Sequence, residues 1–282
     1  MAESVEKQPG ERPPQAWEPL TPRGVAAFGR ASLRRLLLVQ LVVAILAAIT
    51  VVWFLDWFWF PTIAQAIKRL PEQGEIRGGS LAWNGESPRR LAENRFLALA
   101  LDLKHEGKVR SPAHVEVEFG EKSVKIISLF GFLTVDYPRD STLAFSRLDL
   151  EPLWGAWAPE ILAIGAGLVI VLLMVSWAFL ATLYCAPVWL VAFYRDRELD
   201  WRGSWRLAGA ALMPGALFFV AMFLFYGLGL LDIVHLTAAA GVHLVIGWIY
   251  VLVSPRYLPV VPAETVRKNP FVQSAKATED GR

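Results

Sequence analysis

The stretch LLLVQLVVAILAAITVVWFL, residues 36–55, decides the fold, because it has no charged residue and only Gln40 and Thr50 are polar. An apolar helix of about 20 residues covers the roughly 30 Å hydrocarbon core of a bilayer. Arg34 and Arg35 precede the stretch and tryptophans crowd its far end, as aromatic rings do at the headgroup level. We therefore predict a membrane span. A cleaved signal peptide is the alternative, although its apolar region is usually only about 7–15 residues long.

Three further apolar stretches predict spans at about residues 161–184, 207–231 and 233–253. The first of these continues without charge to Tyr194, and one straight helix of that length would be about 50 Å long. A proline inside a helix removes a backbone donor and clashes with the preceding turn. We therefore expect a kink or break at Pro187.

Basic residues near the spans indicate their orientation, since short cytosolic flanks are rich in Lys and Arg. They form three clusters: Arg23, Arg30, Arg34 and Arg35; Arg195, Arg197, Arg202 and Arg206; Arg256, Arg267 and Lys268. In a four-span arrangement all three clusters fall on one face, which we predict to be cytosolic together with both termini. The chain lacks an N-glycosylation sequon, which fits a location in a bacterial cytoplasmic (inner) membrane.

Residues 61–152 have a different pattern, in which apolar and polar residues alternate as in β-strands. Strands are predicted around residues 75–83, 97–103, 115–119, 123–128 and 132–137, with a bend or bulge at the glycine pair of residues 78 and 79. The alternation places Val117 on the apolar face of a largely antiparallel sheet, and Glu116 and Glu118 on a solvated face.

The predicted fold class is thus a four-span α-helical membrane protein with an inserted extracytoplasmic β-rich (α+β) domain. Its segments are a disordered cytosolic tail (1–22), an interfacial helix and first span (23–60), the β-rich domain (61–152), three spans (153–256) and a flexible cytosolic tail (257–282). The interfacial helix would lay its apolar side on the inner membrane surface.

Several function classes are excluded or disfavoured by composition and motifs. The net charge of +2 is too small to indicate a nucleic-acid partner, and the single cysteine, Cys185, excludes a disulfide framework or a cysteine-rich metal site. Neither His105 nor His114 has a partner at metal-ligand spacing. We find no nucleophile elbow, phosphate loop or dinucleotide fingerprint. We expect no catalytic residue, no cofactor and no metal.

The candidate site residues are His243, His235 and Asp232. His243 lies near the middle of the fourth predicted span, where polar groups are costly and face protein or a water-filled cavity. A hydrogen bond to a neighbouring span is one role for it, and binding of a ligand or proton is the other. Asp232 and His235 are three residues apart at the outer turn and can pair.

The order of these parts resembles a family of uncharacterised bacterial multi-pass membrane proteins, with one extracytoplasmic β-rich domain between the first and second spans. The resemblance lies in residues 70–83 (LPEQGEIRGGSLAW), in residues 97–102, in the FGEKSVKIIS hairpin at residues 119–128, and in residues 199–214 (LDWRGSWRLAGAALMP). It implies the topology given above and no catalytic residues.

The function best supported by these patterns is a non-enzymatic sensor, docking or accessory subunit that acts through the extracytoplasmic domain. Its partners would be the lipid bilayer and another envelope protein or a second copy of the chain. The alternative is a transport component or permease accessory that uses the helical bundle. A third hypothesis, an intramembrane enzyme, depends on His243 alone.

Overall fold

The structure, a computed structural model, describes residues 17–261. The predicted tails are residues 1–22 and 257–282. Most of each tail, residues 1–16 and 262–282, lies outside the described residues. Two compact units make up the rest. The helical unit comprises residues 17–44, 171–221 and 238–261, and the β-rich unit comprises residues 45–170 and 222–237.

Within residues 17–261, four helical stretches are long and apolar enough to cross a membrane: Leu33–Lys68, Arg147–Phe193, Trp201–Gly227 and Ile233–Tyr257. The α-helices are α1 (Pro22–Ala27), α2 (Leu33–Phe54), α3 (Phe60–Lys68), α4 (Arg147–Phe193), α5 (Trp201–Ala211), α6 (Met213–Gly227) and α7 (Ile233–Val253). One π-helical turn, Leu55–Trp59, joins α2 to α3, and short 3-10 helices cover Phe28–Arg30 and Ser254–Tyr257.

Prolines affect two of these helices differently. The break expected at Pro187 is absent, because α4 continues through it to Phe193 as one helix of 47 residues. A proline removes only one hydrogen bond from a long helix, so helical packing of the surrounding turns can still hold it. The stretch Trp201–Gly227 is interrupted at Leu212, two residues before Pro214.

The predicted interfacial helix forms as α1 and the 3-10 turn that follows, and two apolar side chains of this segment face the protein. Val25 and Phe28 are fully buried in the helical unit. They pack on α5 and on the 3-10 helix Ser254–Tyr257. The amphipathic pattern of this segment therefore reflects protein packing.

The strands of the β-rich unit are β1 (Glu75–Arg77), β2 (Ser80–Ala82), β3 (Arg89–Glu93), β4 (Leu97–Leu101), β5 (Val115–Phe119), β6 (Ser123–Ser128), β7 (Gly131–Asp136) and β8 (Leu143–Ala144). They form a three-stranded sheet of order β2-β1-β8 and a five-stranded sheet of order β3-β4-β5-β6-β7. Gly78 and Gly79 form the β1–β2 turn with φ of 57° and 78°, a left-handed pair that glycine adopts without strain.

One strand pair is parallel. β4 and β5 run in the same direction, whereas the other paired strands are antiparallel. Parallel neighbours need a connection of about a dozen residues or more, and residues 102–114, which we call the crossover loop, provide it. The apolar side chains of both sheets meet α3 in one core, which includes Ile76, Leu97, Leu99 and Leu101.

Candidate functional site

A groove of 680 Å³ opens on the β-rich unit beside the π-helical turn. Three segments form it: the end of α2 with the π-helical turn, the β3–β4 turn, and the end of α6. We call it the aromatic groove, and its lining residues are Trp53, Trp57, Phe58, Asn94, Arg95, Phe96, Gly227, Leu228 and Gly229. Apolar walls with a few polar groups are typical of sites that bind small amphipathic molecules.

Asn94 fixes the floor of the aromatic groove. Its side-chain oxygen accepts hydrogen bonds from the backbone amides of Phe96 and Leu97, both at 2.8 Å, which shapes the β3–β4 turn. Its amide nitrogen donates to the carbonyl oxygen of Phe58 at 2.6 Å and to the hydroxyl of Thr62 at 2.8 Å. One side chain thus joins the turn to the helix. The π-helical turn holds Phe58, and such turns occur frequently at functional sites.

Among the described residues that line the aromatic groove, Arg95 alone is charged. Its guanidinium donates to the carbonyl oxygens of Gly229 and Leu231, each at 2.9 Å. Within residues 17–261 it forms no salt bridge. A guanidinium has five N–H donors, so these two bonds leave three donors and the positive charge beside the aromatic walls.

A packed aromatic cluster adjoins the aromatic groove and shares Phe96 with it. Phe54, Phe96 and Tyr226 are buried, and their rings contact one another at centroid distances of 5.0–5.6 Å. His114 stacks on Tyr226, and its Nδ1 shares a 2.6 Å hydrogen bond with the tyrosine hydroxyl. Burial, followed by the nearby charge of Arg95, lowers the pKa of His114 below its usual 6.5, so this imidazole is neutral at pH 7.

The predicted pair at the outer turn forms. Asp232 Oδ1 accepts hydrogen bonds from the backbone amide of His235 at 2.8 Å and from its Nδ1 at 2.7 Å. These bonds, that of the backbone amide first, lower the pKa of Asp232. Both side chains are exposed, and Asp232 caps the first turn of α7. Neither residue lines the aromatic groove.

His243 lies on α7 within the helical unit, where it is partly buried and in contact with the ring of Phe219. Its Nδ1 hydrogen-bonds the carbonyl oxygen of Ala240 in the same helix. The expected bond to a neighbouring span is therefore not the one that forms. The backbone does approach another helix closely, because a Cβ atom added at Gly215 would lie 2.3 Å from the His243 carbonyl oxygen.

The face of β5 that carries Glu116 and Glu118 is buried, so the prediction of a solvated face is wrong. Glu118 is 2% exposed and Glu116 is 4% exposed. The crossover loop covers this face: the backbone amide of Ser111 donates to Glu116 at 3.2 Å, and His105 pairs with Glu118. Burial raises the pKa of Glu116. The alternating pattern did predict the apolar character of the opposite face correctly, since Val117 packs on the core.

His105, Glu118 and Ser123 form a hydrogen-bonded chain that sequence spacing did not reveal. His105 Nδ1 bonds the Glu118 carboxylate, and its Nε2 lies 3.3 Å from the Ser123 hydroxyl. This order of groups matches that of a serine nucleophile, its base and an orienting carboxylate. Ser123 is buried, however, and the histidine itself covers its hydroxyl. The chain gives a buried carboxylate a hydrogen-bond partner and joins the crossover loop to the sheet.

Within residues 17–261, no group of three or more His, Cys, Asp or Glu side chains is arranged to hold a metal ion. The aromatic groove combines one positive charge with apolar walls, an arrangement suited to reversible binding of a small molecule. Comparison of the chain with protein-family models, with curated proteins and with solved structures finds no match.

Proposed function

We propose that the chain is a four-span integral membrane protein, and that its β-rich unit is a non-enzymatic docking module for an anionic amphiphile of the phospholipid type. The observation that carries this proposal is the placement of the Arg95 guanidinium, without a carboxylate partner, among the tryptophan and phenylalanine walls of the aromatic groove. The headgroup would meet the charge and the acyl chains would meet the apolar walls.

The outward-facing side chains of the long helices support insertion into a bilayer. Only 6% of the most apolar window of α4 is buried inside the structure. Soluble proteins rarely expose apolar patches larger than a few hundred Å², whereas lipid tails solvate such a surface.

Contacts within the helical unit support a single cytosolic face. Arg30 of the first basic cluster forms a 2.6 Å salt bridge with Glu198, which lies within the second cluster. Arg197 of the second cluster donates to the carbonyl oxygen of Leu258, two residues beyond Arg256 of the third. The described members of the three clusters thus lie near one another, as the positive-inside rule requires of one membrane face. The β-rich insertion would then be extracytoplasmic, in a bacterial inner membrane.

The aromatic groove would lie at the outer headgroup level. Trp53 and Trp57 lie at the far end of the apolar stretch of the first span, and tryptophan is enriched at the headgroup level. Arginine binds phosphate through paired N–H donors. An anionic phospholipid fits better than a zwitterionic one, because it lacks the headgroup cation that the Arg95 charge would repel.

The test uses full-length protein in phosphatidylcholine nanodiscs doped with a photoactivatable phosphatidylglycerol. We expect crosslinked peptides that contain Trp57 or Leu228, and we expect Arg95→Gln to reduce that labelling strongly. Arg89→Gln is the matched control, because it removes the same charge from an exposed strand position outside the groove. Equal labelling of all three proteins would refute the proposal, as would equal labelling by a phosphatidylcholine probe.

A transport component remains the second candidate. The interruption of Trp201–Gly227 at Leu212 favours it, since transporters use discontinuous helices near the middle of the membrane. Docking of another envelope protein or of a second copy is a further prediction for the exposed surface of the β-rich unit.

A further inference from the structure

The turn between β6 and β7 is strongly apolar and exposed. We call residues 129–133 the hairpin tip. Phe130 is 78% exposed and Phe132 is 70% exposed, while Leu129 and Leu133 are also exposed. Four large apolar side chains are thus exposed within five residues, and exposed apolar clusters of this kind mark interaction sites.

Strand register places the hairpin tip at a definite end of the five-stranded sheet. Val115 at the start of β5 is paired with Leu97 of β4 on one side and with Ser128 of β6 on the other. The residues just before these starts contact the long helices: Phe96 packs on Phe54, the last residue of α2, and His114 bonds Tyr226 near the end of α6. The hairpin tip follows Ser128, so it lies at the end of the sheet that adjoins the ends of these helices.

The chemistry of the hairpin tip favours a fluid apolar partner. Successive side chains of a strand point to opposite faces, so Phe132 and Leu133 present apolar groups on both sides of β7. A protein surface docked on one face would leave the other face in water. Lipid surrounds a hairpin on every side and leaves neither face exposed.

We infer that the hairpin tip inserts into the outer leaflet of the bilayer as an additional membrane anchor. Insertion is shallow, because the free edge of β7 has backbone groups that hydrocarbon cannot satisfy. Interfacial elements typically enter about 5–10 Å. Lys125, whose ammonium lies 4.6 Å from the ring centroid of Phe132, would meet the phosphates above the inserted rings. The inference rests on the proposed insertion of the four long helices, and not on the ligand of the aromatic groove.

The test is spin-label accessibility in full-length protein reconstituted into phosphatidylcholine–phosphatidylglycerol vesicles. Cys185 is replaced by alanine, and single cysteines are introduced as Leu129→Cys, as Lys122→Cys at the opposite end of the sheet, and as Leu172→Cys within α4. Collisions with oxygen and with a water-soluble nickel chelate report lipid and water exposure respectively. We expect oxygen to dominate at residues 129 and 172, and the chelate to dominate at residue 122.

Adding Phe130→Asp and Phe132→Asp to the Leu129→Cys protein should shift its label to chelate exposure, and both positions are exposed enough to accept the change without unfolding. Chelate exposure at residue 129 in the parent protein, with oxygen exposure at residue 172, overturns the inference while the spans stand. Chelate exposure at residue 172 overturns the membrane insertion itself. An immobile label at residue 129 that neither reagent reaches would indicate a protein contact and also overturn the inference.

Discussion

The side-chain amide of Asn94 donates a 2.6 Å hydrogen bond to the carbonyl oxygen of Phe58, in the π-helical turn beside the aromatic groove. Because the same side chain accepts from two amides of the β3–β4 turn, the helix and the sheet are joined at one residue. The shape of the groove should therefore depend on both the oxygen and the nitrogen of this side-chain amide.

Asn94→Asp should destabilise the β-rich unit by about 1 kcal/mol, the usual net contribution of one hydrogen bond, since Asn94 is only partly buried. A carboxylate keeps the acceptor for Phe96 and Leu97 but repels the Phe58 carbonyl oxygen. Thermal unfolding in detergent measures the effect. Asn84→Asp is the control, because Asn84 is exposed and its side chain forms no hydrogen bond within residues 17–261. Equal decreases in melting temperature for the two variants would show that the Asn94 hydrogen bonds do not stabilise the β-rich unit.

Glu118→Lys should unfold or severely destabilise the β-rich unit, by about 3–5 kcal/mol, because it buries an unpaired cation beside His105. Glu118→Gln should be milder, since a neutral amide still bonds the imidazole. Resistance of the β-rich segment to limited proteolysis measures both. Glu121→Lys, at an exposed position of the next turn, serves as the charge-matched control. Normal resistance in Glu118→Lys would restore the solvated-face interpretation of β5.

Acidification should destabilise the protein through His114. Its pKa is lowered from 6.5 on folding, so the unfolded chain binds more protons than the folded chain once the pH drops below about 6.5. The contribution of His114 to the stability of the folded protein is therefore complete above about pH 6.5, and it is lost as the pH falls towards the pKa of this histidine in the folded state. The difference in melting temperature between wild type and His114→Gln should shrink from pH 7.5 to pH 5.5. A difference that stays constant would contradict the neutral, buried imidazole.

Gly215→Ala should destabilise the helical unit, because the new methyl group would lie 2.3 Å from the backbone oxygen of His243. Backbone cannot move aside as a flexible side chain can. Gly241→Ala is the matched control on α7, since a Cβ atom there would meet nothing within 4 Å. We expect this control to be neutral or slightly stabilising, since alanine favours helix by about 1 kcal/mol over glycine. The melting temperatures in detergent should separate the two variants clearly.

Fusions to a reporter that is active only outside the cytosol test the proposed topology. Activity is expected after Gly120 in the β-rich unit, and silence is expected after Asp200 and after Ala275. Activity at Asp200 would overturn the four-span arrangement, because that position lies within the second basic cluster.

The long helices could be read from the sequence because their apolar stretches match a simple physical length. Strands β4 to β7 were also predictable, since the alternation of residues 97–137 reports one packed face. The parallel pairing of β4 and β5 was not predictable, because a strand shows the same alternation of apolar and polar residues in parallel and in antiparallel pairs. Burial of Glu116 and Glu118 was not predicted either, because the crossover loop that covers them has a polar composition, which is typical of exposed loops.

The aromatic groove was less predictable than the fold. The tryptophans of residues 53–59 indicated a membrane interface, but no spacing links them to Asn94 and Arg95, which come some 35 residues later. The chosen candidates Asp232, His235 and His243 drew attention because they are polar near apolar stretches. In the structure Asp232 caps α7 and pairs with His235 in its first turn, while His243 bonds its own helix. An asparagine followed by arginine between two predicted strands was the available clue.

The parallel pairing of β4 and β5 has a consequence for how the chain can vary. Residues 102–114 return the chain to the starting end of the sheet and also seal the carboxylates of β5 from water. A shorter segment would force β5 to reverse direction, which would exchange the residues that meet the helices with those at the far end. Insertions and deletions should therefore be rare in this segment, even though its composition, KHEGKVRSP, is that of an ordinary variable surface loop.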